Sequence, residues 1–261
     1  MIQIYKSSTS PKSLETGHQY NGQDVQRQLF ADQRGKCYIC EEKVVTNYHI
    51  DHLLSQTQHP DKTTDWSNLL LTCSYCNQKK SNAYDQIVNP LSFPIETFIR
   101  QEVDYQRNIA IFEGPDDKDI VGIDETIKLL SSIFNGKAPA RQVREEKFYE
   151  YFLSRITLFQ KACNQFLEDD SEQHKRVVCE LLKADQEFLG FKYWIIQSNQ
   201  TLQNTFLPFC QWNRDEIWNR PWSEKQKTES MEQKKVGLMA VSCWLWLVIC
   251  VVAEDLLLLH R

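Results

Sequence analysis

Glycine and proline are scarce in this chain, eight of each in 261 residues, which excludes collagen-like, low-complexity and linker-dominated architectures. Positive charge is not in excess either: 30 Lys and Arg stand against 35 Asp and Glu, for a formal net charge of −5. A protein that grips nucleic acid through a basic field over its whole surface is therefore excluded, and any phosphate contact must come from local patches or from a partner. The first residues lack an apolar signal-type region, so a reducing, cytoplasmic setting is expected, in which paired cysteines hold metal and scattered ones stay thiols. No internal repeat is visible. At 41% hydrophobic content the chain can bury one good core or two small ones.

Long apolar runs are also lacking, with one exception. Residues 236–253 are apolar apart from Gly237, Ser242 and two cysteines, and Lys234-Lys235 stand just before them. Eighteen residues lie at the lower edge of spanning length. Three readings stay open: an anchor holding the protein to the cytoplasmic face of a membrane, a buried C-terminal helix, or a tail not native to the domain, such as the product of a shifted reading frame.

What the chain does have is cysteine, nine in all, four of them in two Cys-x-x-Cys pairs, Cys37/Cys40 and Cys73/Cys76. Each such turn aims two sulfurs at one point, so the four can close a tetrahedron around one zinc and leave no open position for substrate. The expected role is structural. The competing reading is two unrelated pairs or a redox dithiol. The 32 residues from 41 to 72 exceed ordinary zinc-ribbon spacing, so an insert must hang between the knuckles. Cys163, Cys179 and Cys210 sit among apolar residues and read as inert core thiols.

The insert carries His49-Ile50-Asp51-His52 and then Asn68, and Asn77 follows the last cysteine. Phosphodiester cleavage needs a base for water and a cation to neutralise charge on the scissile phosphate, both held in line. Asp51, His52 and Asn77 can supply these. Their order and spacing resemble the ββα-metal fold of HNH endonucleases. The resemblance implies His52 as general base, Asp51 and Asn77 as oxygen ligands of a catalytic Mg²⁺ or Mn²⁺, and Asn68 as a clamp on the loop. One geometric demand follows: neighbours on a regular strand face opposite ways, so Asp51 and His52 address one phosphate only if the strand ends or bulges there. His49 reads either as a further ligand or as a packed or solvent-facing side chain. Lys79 and Lys80 read as phosphate contacts or as a solvated helix face.

The resemblance reaches further. Ile2-Gln3-Ile4-Tyr5-Lys6, the run from Asp65 to Lys80, and Asn89-Pro90 followed by Pro94-Ile95-Glu96 resemble the HNH nucleases of Septu-type anti-phage systems, the PtuB-type effectors also found beside retrons. That resemblance implies a DNA substrate and an ABC-like ATPase partner. Asp51 stands where many members carry Glu, and Ser55 where many carry Pro. The reading from a different class is a zinc-stabilised nucleic-acid- or protein-binding adaptor without catalysis.

The expected fold class is α+β and mostly helical: a ββα-metal core with its four-cysteine structural zinc site in residues 1–90, a helical partner-docking or support region in 91–213, and the tail 214–261. An extended arm is expected over the first twenty residues. Periodicity predicts helices over 24–34 (Asp24 as cap, Gly35 as stop), 77–85, 123–134, 141–167 and 171–197, with strands within 43–54 and 108–113. The long helical stripes read as core packing, or as a docking face for the partner.

Overall fold

The computed structural model describes residues 1–16, 19–115 and 120–212. The chain resolves into two compact units, 1–213 and 214–261; the apolar run 236–253 and the rest of the tail lie outside the described residues. Among the described residues no helix is long and apolar enough to cross a membrane.

The N-terminal arm is extended until α1 (Lys12–Thr16), and its apolar side chains Met1, Ile2 and Ile4 are buried. Helix α2 (Gln23–Asp32) buries Val25 and Leu29. Gly22 rather than Asp24 is its N-cap, because the Asp24 carboxylate is taken by the Ser13 amide and hydroxyl of the arm. After α2 the chain turns through Arg34 and Gly35, both left-handed, and enters the first knuckle.

Strands β1 (Tyr48–His52) and β2 (Leu69–Cys73) pair antiparallel, Asp51 opposite Leu70 and His52 opposite Leu69. β2 is buried throughout, and its last residue, Cys73, caps α3 (Ser74–Lys80). This strand–strand–helix unit is the expected ββα arrangement. The third helix starts three residues earlier than periodicity predicts and stops at Ser81, whose φ of 42° ends it.

Beyond residue 90, α4 (Ile95–Phe98) leads into a hairpin of β3 (Arg100–Asp104) and β4 (Ile109–Glu113). Only the second strand shows in the sequence, because the first, Arg-Gln-Glu-Val-Asp, has no apolar alternation. Helices α5 (Ile123–Asn135) and α6 (Val143–Glu168) match their stripes closely. α6 opens with a capping box between Gln142 and Glu145.

The single helix predicted over 171–197 is instead α7 (Glu172–Leu181) and α8 (Leu189–Gln197). The break is held by polar contacts that periodicity cannot register. Glu187 in the connecting loop accepts from the Lys43 amide at 2.8 Å and the Tyr151 hydroxyl at 2.6 Å, and Glu41 accepts the Leu189 and Gly190 amides at 2.7 and 3.1 Å. Gly190 lets the α8 backbone lie against Gln101, where a Cβ would come within 2.5 Å of that amide. α9 (Gln200–Phe206) follows.

One hydrophobic core runs through the unit from Met1 and Leu29 to Phe191. Tyr75 of α3 links the hairpin region to the helices: its ring lies 5.6 Å from Phe148, and its hydroxyl donates to Ile133 O at 2.9 Å. Cys163, Cys179 and Cys210 are buried and in no disulfide, and burial pushes Cys163 up to about 12, which leaves it inert.

Candidate functional site

The four knuckle cysteines come from three elements: the loop after α2, the end of β2 and the first turn of α3. Their sulfurs all lie within 4.8 Å of one another, Cys40 and Cys73 at 3.9 Å. A tetrahedral zinc with sulfurs at ~2.3 Å has S–S edges of about 3.8 Å, so this donor set fits a zinc after shifts of about 1 Å or less. All four are buried, which fits a sealed structural site. Burial pushes the Cys37 thiol up, but hydrogen bonds from the other three thiols and from Thr72 outweigh it and hold its pKa well below the ordinary thiol value. A cluster poised to lose its first proton is one ready for a cation.

At the far end of the hairpin β1 stops at His52, so the strand does end where the geometry demands. Asp51 is buried, and its Oδ2 accepts from the Tyr38 hydroxyl at 2.6 Å and pairs with Lys80 Nζ at 3.3 Å. Both contacts fall on one oxygen and leave Oδ1 for another ligand. Burial raises the Asp51 pKa, opposed by Lys80 and Tyr38. Lys80 also donates to the His52 carbonyl at 2.8 Å, so one ammonium ties both residues of the pair to α3. Lys80 is 1% exposed. It is therefore neither the phosphate contact nor the solvated helix face that the sequence left open for it, and Lys79 is held by Glu145 at 2.9 Å.

The His52 ring is packed edge-on against Tyr20 at 4.9 Å, and its Nε2 lies 2.9 Å from the Thr63 carbonyl. A carbonyl can only accept, so Nε2 carries the proton and Nδ1 the lone pair. Gln56 Nε2 lies 3.2 Å from the same nitrogen; with that nitrogen protonated toward Thr63 both atoms are donors, so this contact is no hydrogen bond. Burial lowers the His52 pKa below its ordinary value, which keeps the ring neutral and basic near pH 7.

Asn68 Oδ1 accepts the Leu54 amide at 2.8 Å, and its Nδ2 donates to Leu54 O and Lys62 O at 3.0 and 3.1 Å. These bonds close both ends of the 53–68 loop that carries Thr63 to His52. Asn77 is half-buried on α3, one turn before Lys80, and its side-chain amide makes no hydrogen bond to the described residues. His49 is exposed, with Ser74 Oγ at 3.1 Å. Ser55 donates its backbone N–H to Asp85, a bond that proline could not make, and Asp85 in turn holds His59 at 3.3 Å. Among the described residues no second cluster of three or more His, Cys, Asp or Glu donors forms. A cation at Asp51 would thus not be held by a cluster of three such side chains.

Sequence reasoning missed Tyr38, Lys80 in its buried role and Thr63. A tyrosine inside a Cys-x-x-Cys turn and a lysine one turn beyond Asn77 were the available signals.

An HNH endonuclease family model matches residues 37–83, from the first knuckle cysteine through α3. No curated protein matches the chain. The matched segment is similar to HNH endonuclease domains, a likeness that suggests a nuclease and, with it, a nucleic-acid substrate and a divalent cation.

Proposed function

We propose that the chain is a metal-dependent endonuclease that hydrolyses phosphodiester bonds of DNA as the effector of a Septu-type, PtuB-like anti-phage system with an ATPase partner. The observation that carries the chemistry is the His52 ring, neutral, fixed through Nε2 by Thr63, and adjacent to a carboxylate with one oxygen uncommitted. His52 Nδ1 takes the proton from the attacking water. Asp51 Oδ1 and the Asn77 amide oxygen are the residues that would hold Mg²⁺ or Mn²⁺; when bound, such a cation supplies charge neutralisation at the scissile phosphate and the leaving oxygen. Lys80 keeps the Asp51–His52 pair seated on α3, and Asn68 keeps the loop closed. The zinc cluster holds the frame.

Support for the Septu-type placement comes from the flanks. Lys6 of the arm donates to the Trp66 and Leu69 carbonyls and lies over the Trp66 ring, while Ile4 N donates to Pro90 O at 2.8 Å and Gln3 N to Glu96 at 2.8 Å. The stretches that carry the resemblance therefore pack on one another. In this reading residues 1–90 do the chemistry and 91–213 support it and dock the ATPase.

The adaptor reading draws on one observation, that Asp51 is buried and already paired. Incubation with plasmid DNA and Mg²⁺ or Mn²⁺, alone and with the ATPase, decides. Nicking that His52→Ala reduces at least 10²-fold, with the circular dichroism spectrum unchanged, is the expected result; no cleavage under any of these conditions would establish the adaptor.

A further inference from the structure

A cavity of about 390 Å³ opens at the start of β1, beside Asn47 and Ser74, between the first knuckle loop and α6. Its size falls in the range of small-ligand sites. Its walls include Arg144 and Lys147 of α6, Lys43, the rings of Tyr75 and Tyr151, and a single carboxylate, Glu42. Arg144 is exposed, its guanidinium 4.9 Å from the Tyr75 ring centre, and among the described residues no carboxylate lies within 4 Å of it. Lys43 and Lys147 are paired only on the surface, with Asp185 at 3.5 Å and Glu150 at 2.7 Å. Exposed pairs of this kind are weak and readily exchanged for a phosphate.

Location gives the cavity its meaning. His52 closes β1, and Asn47 immediately precedes its first residue, so four strand rises of ~3.3 Å, about 13 Å in all, separate the two ends of the hairpin. A duplex strand advances ~3.4 Å per nucleotide, so a strand cut at His52 reaches the cavity about four nucleotides away.

We infer that this cavity is a second contact for the nucleic-acid substrate: Arg144, with Lys43 and Lys147, takes a backbone phosphate about four nucleotides from the scissile bond, and the aromatic wall takes the adjoining sugar or base. The inference rests on the nuclease reading and deepens it. It gives a protein of net charge −5 a local patch with which to hold its substrate, and gives α6 a part in binding.

The test is fluorescence anisotropy of the full chain with zinc retained and no other divalent cation, so that the probe is not cut. Labelled single-stranded DNA, duplex DNA and RNA of about 20 nucleotides serve as probes across a salt series. Arg144→Ala is expected to weaken binding of the preferred probe about fivefold to tenfold and to lower the magnitude of the salt slope by ~0.7 to 0.9, the signature of one lost phosphate contact. Arg144→Lys restores the slope. Glu42→Gln is expected to hold or tighten binding, because no carboxylate then faces an anionic occupant; a cationic protein segment in the cavity would instead make Glu42→Gln weaken binding. If Arg144→Ala binds with unchanged affinity and slope, or Glu42→Gln weakens the complex, the inference is wrong while the nuclease reading stands. If the unaltered chain binds none of the three probes, the inference is wrong, whereas the nuclease reading falls only if cleavage also fails with the ATPase present.

Discussion

The hairpin region and the helical region are held together by different forces. Across residues 33–85 the frame consists of specific polar links over long sequence separations. Gln33 exchanges hydrogen bonds with the Leu71 carbonyl and amide at 2.8 and 2.7 Å, Lys80 spans Asp51 and the His52 carbonyl, and four thiols converge. In the helical region order comes from ring packing: Phe134 alone has Phe112, Phe148, Phe152, Phe188 and Phe191 within 6.2 Å of its centre. Apolar packing accepts many solutions of similar volume, whereas a polar clamp works in one geometry. The proposed chemistry uses the region where the geometry is specified rather than merely filled.

Metal removal should break that contrast most severely. Structural zinc contributes roughly 10–16 kcal/mol in small zinc domains, as much as the whole stability of an ordinary domain. Chelation is expected to abolish amide-exchange protection over residues 37–83 while α5 and the C-terminal half of α6 keep part of theirs. Equal loss everywhere would make the two regions one cooperative unit, and unchanged protection would mean that the sulfurs hold no structural ion.

The converse experiment attacks the rings. Phe152 is fully buried, with Phe191 at 4.6 Å and Phe134 at 4.9 Å. Phe152→Ala should cost ~3–5 kcal/mol in a denaturant titration. Because the four sulfurs come from the loop after α2, β2 and α3 and none from the ring cluster, the folded variant should keep its full zinc content by elemental analysis; a variant that loses zinc in proportion to its stability would erase the distinction.

The same contrast governs how much could be read from the sequence. Helices α5 and α6 were legible because a 3.6-residue apolar stripe is a local signal that packing rewards. The knuckles were legible because metal binding restricts residue type and spacing. The α7–α8 break was not, since its cause is Glu41 and Glu187 reaching helix and loop groups on the far side of the unit. Nor was the partnership of Tyr38 and Lys80 with Asp51: a buried polar pair leaves no periodic trace, and a lysine after Asn77 reads as surface until the fold closes over it. Asp24 went to Ser13 rather than to its helix end for the same reason, a tertiary partner displacing a local one.

Tyr38 offers the finest discrimination, because it belongs to both the metal knuckle and the site. Its ring is buried between Cys37 and Cys40 along the chain, and its hydroxyl is the donor to Asp51 Oδ2. Tyr38→Phe keeps the ring and removes only the hydroxyl, so stability should fall by ~0.5–1.5 kcal/mol, with zinc content unchanged. If the hydroxyl serves only packing, nothing else moves. If it orients the carboxylate so that Oδ1 faces the cation, Mn²⁺ affinity followed by electron paramagnetic resonance should drop about threefold to tenfold, while Phe152→Ala, far costlier to stability, leaves Mn²⁺ affinity of the folded protein intact. Equal Mn²⁺ affinity in Tyr38→Phe and the unaltered chain would reduce Tyr38 to a wall of the zinc knuckle and leave Lys80 as the sole protein group that aims Asp51.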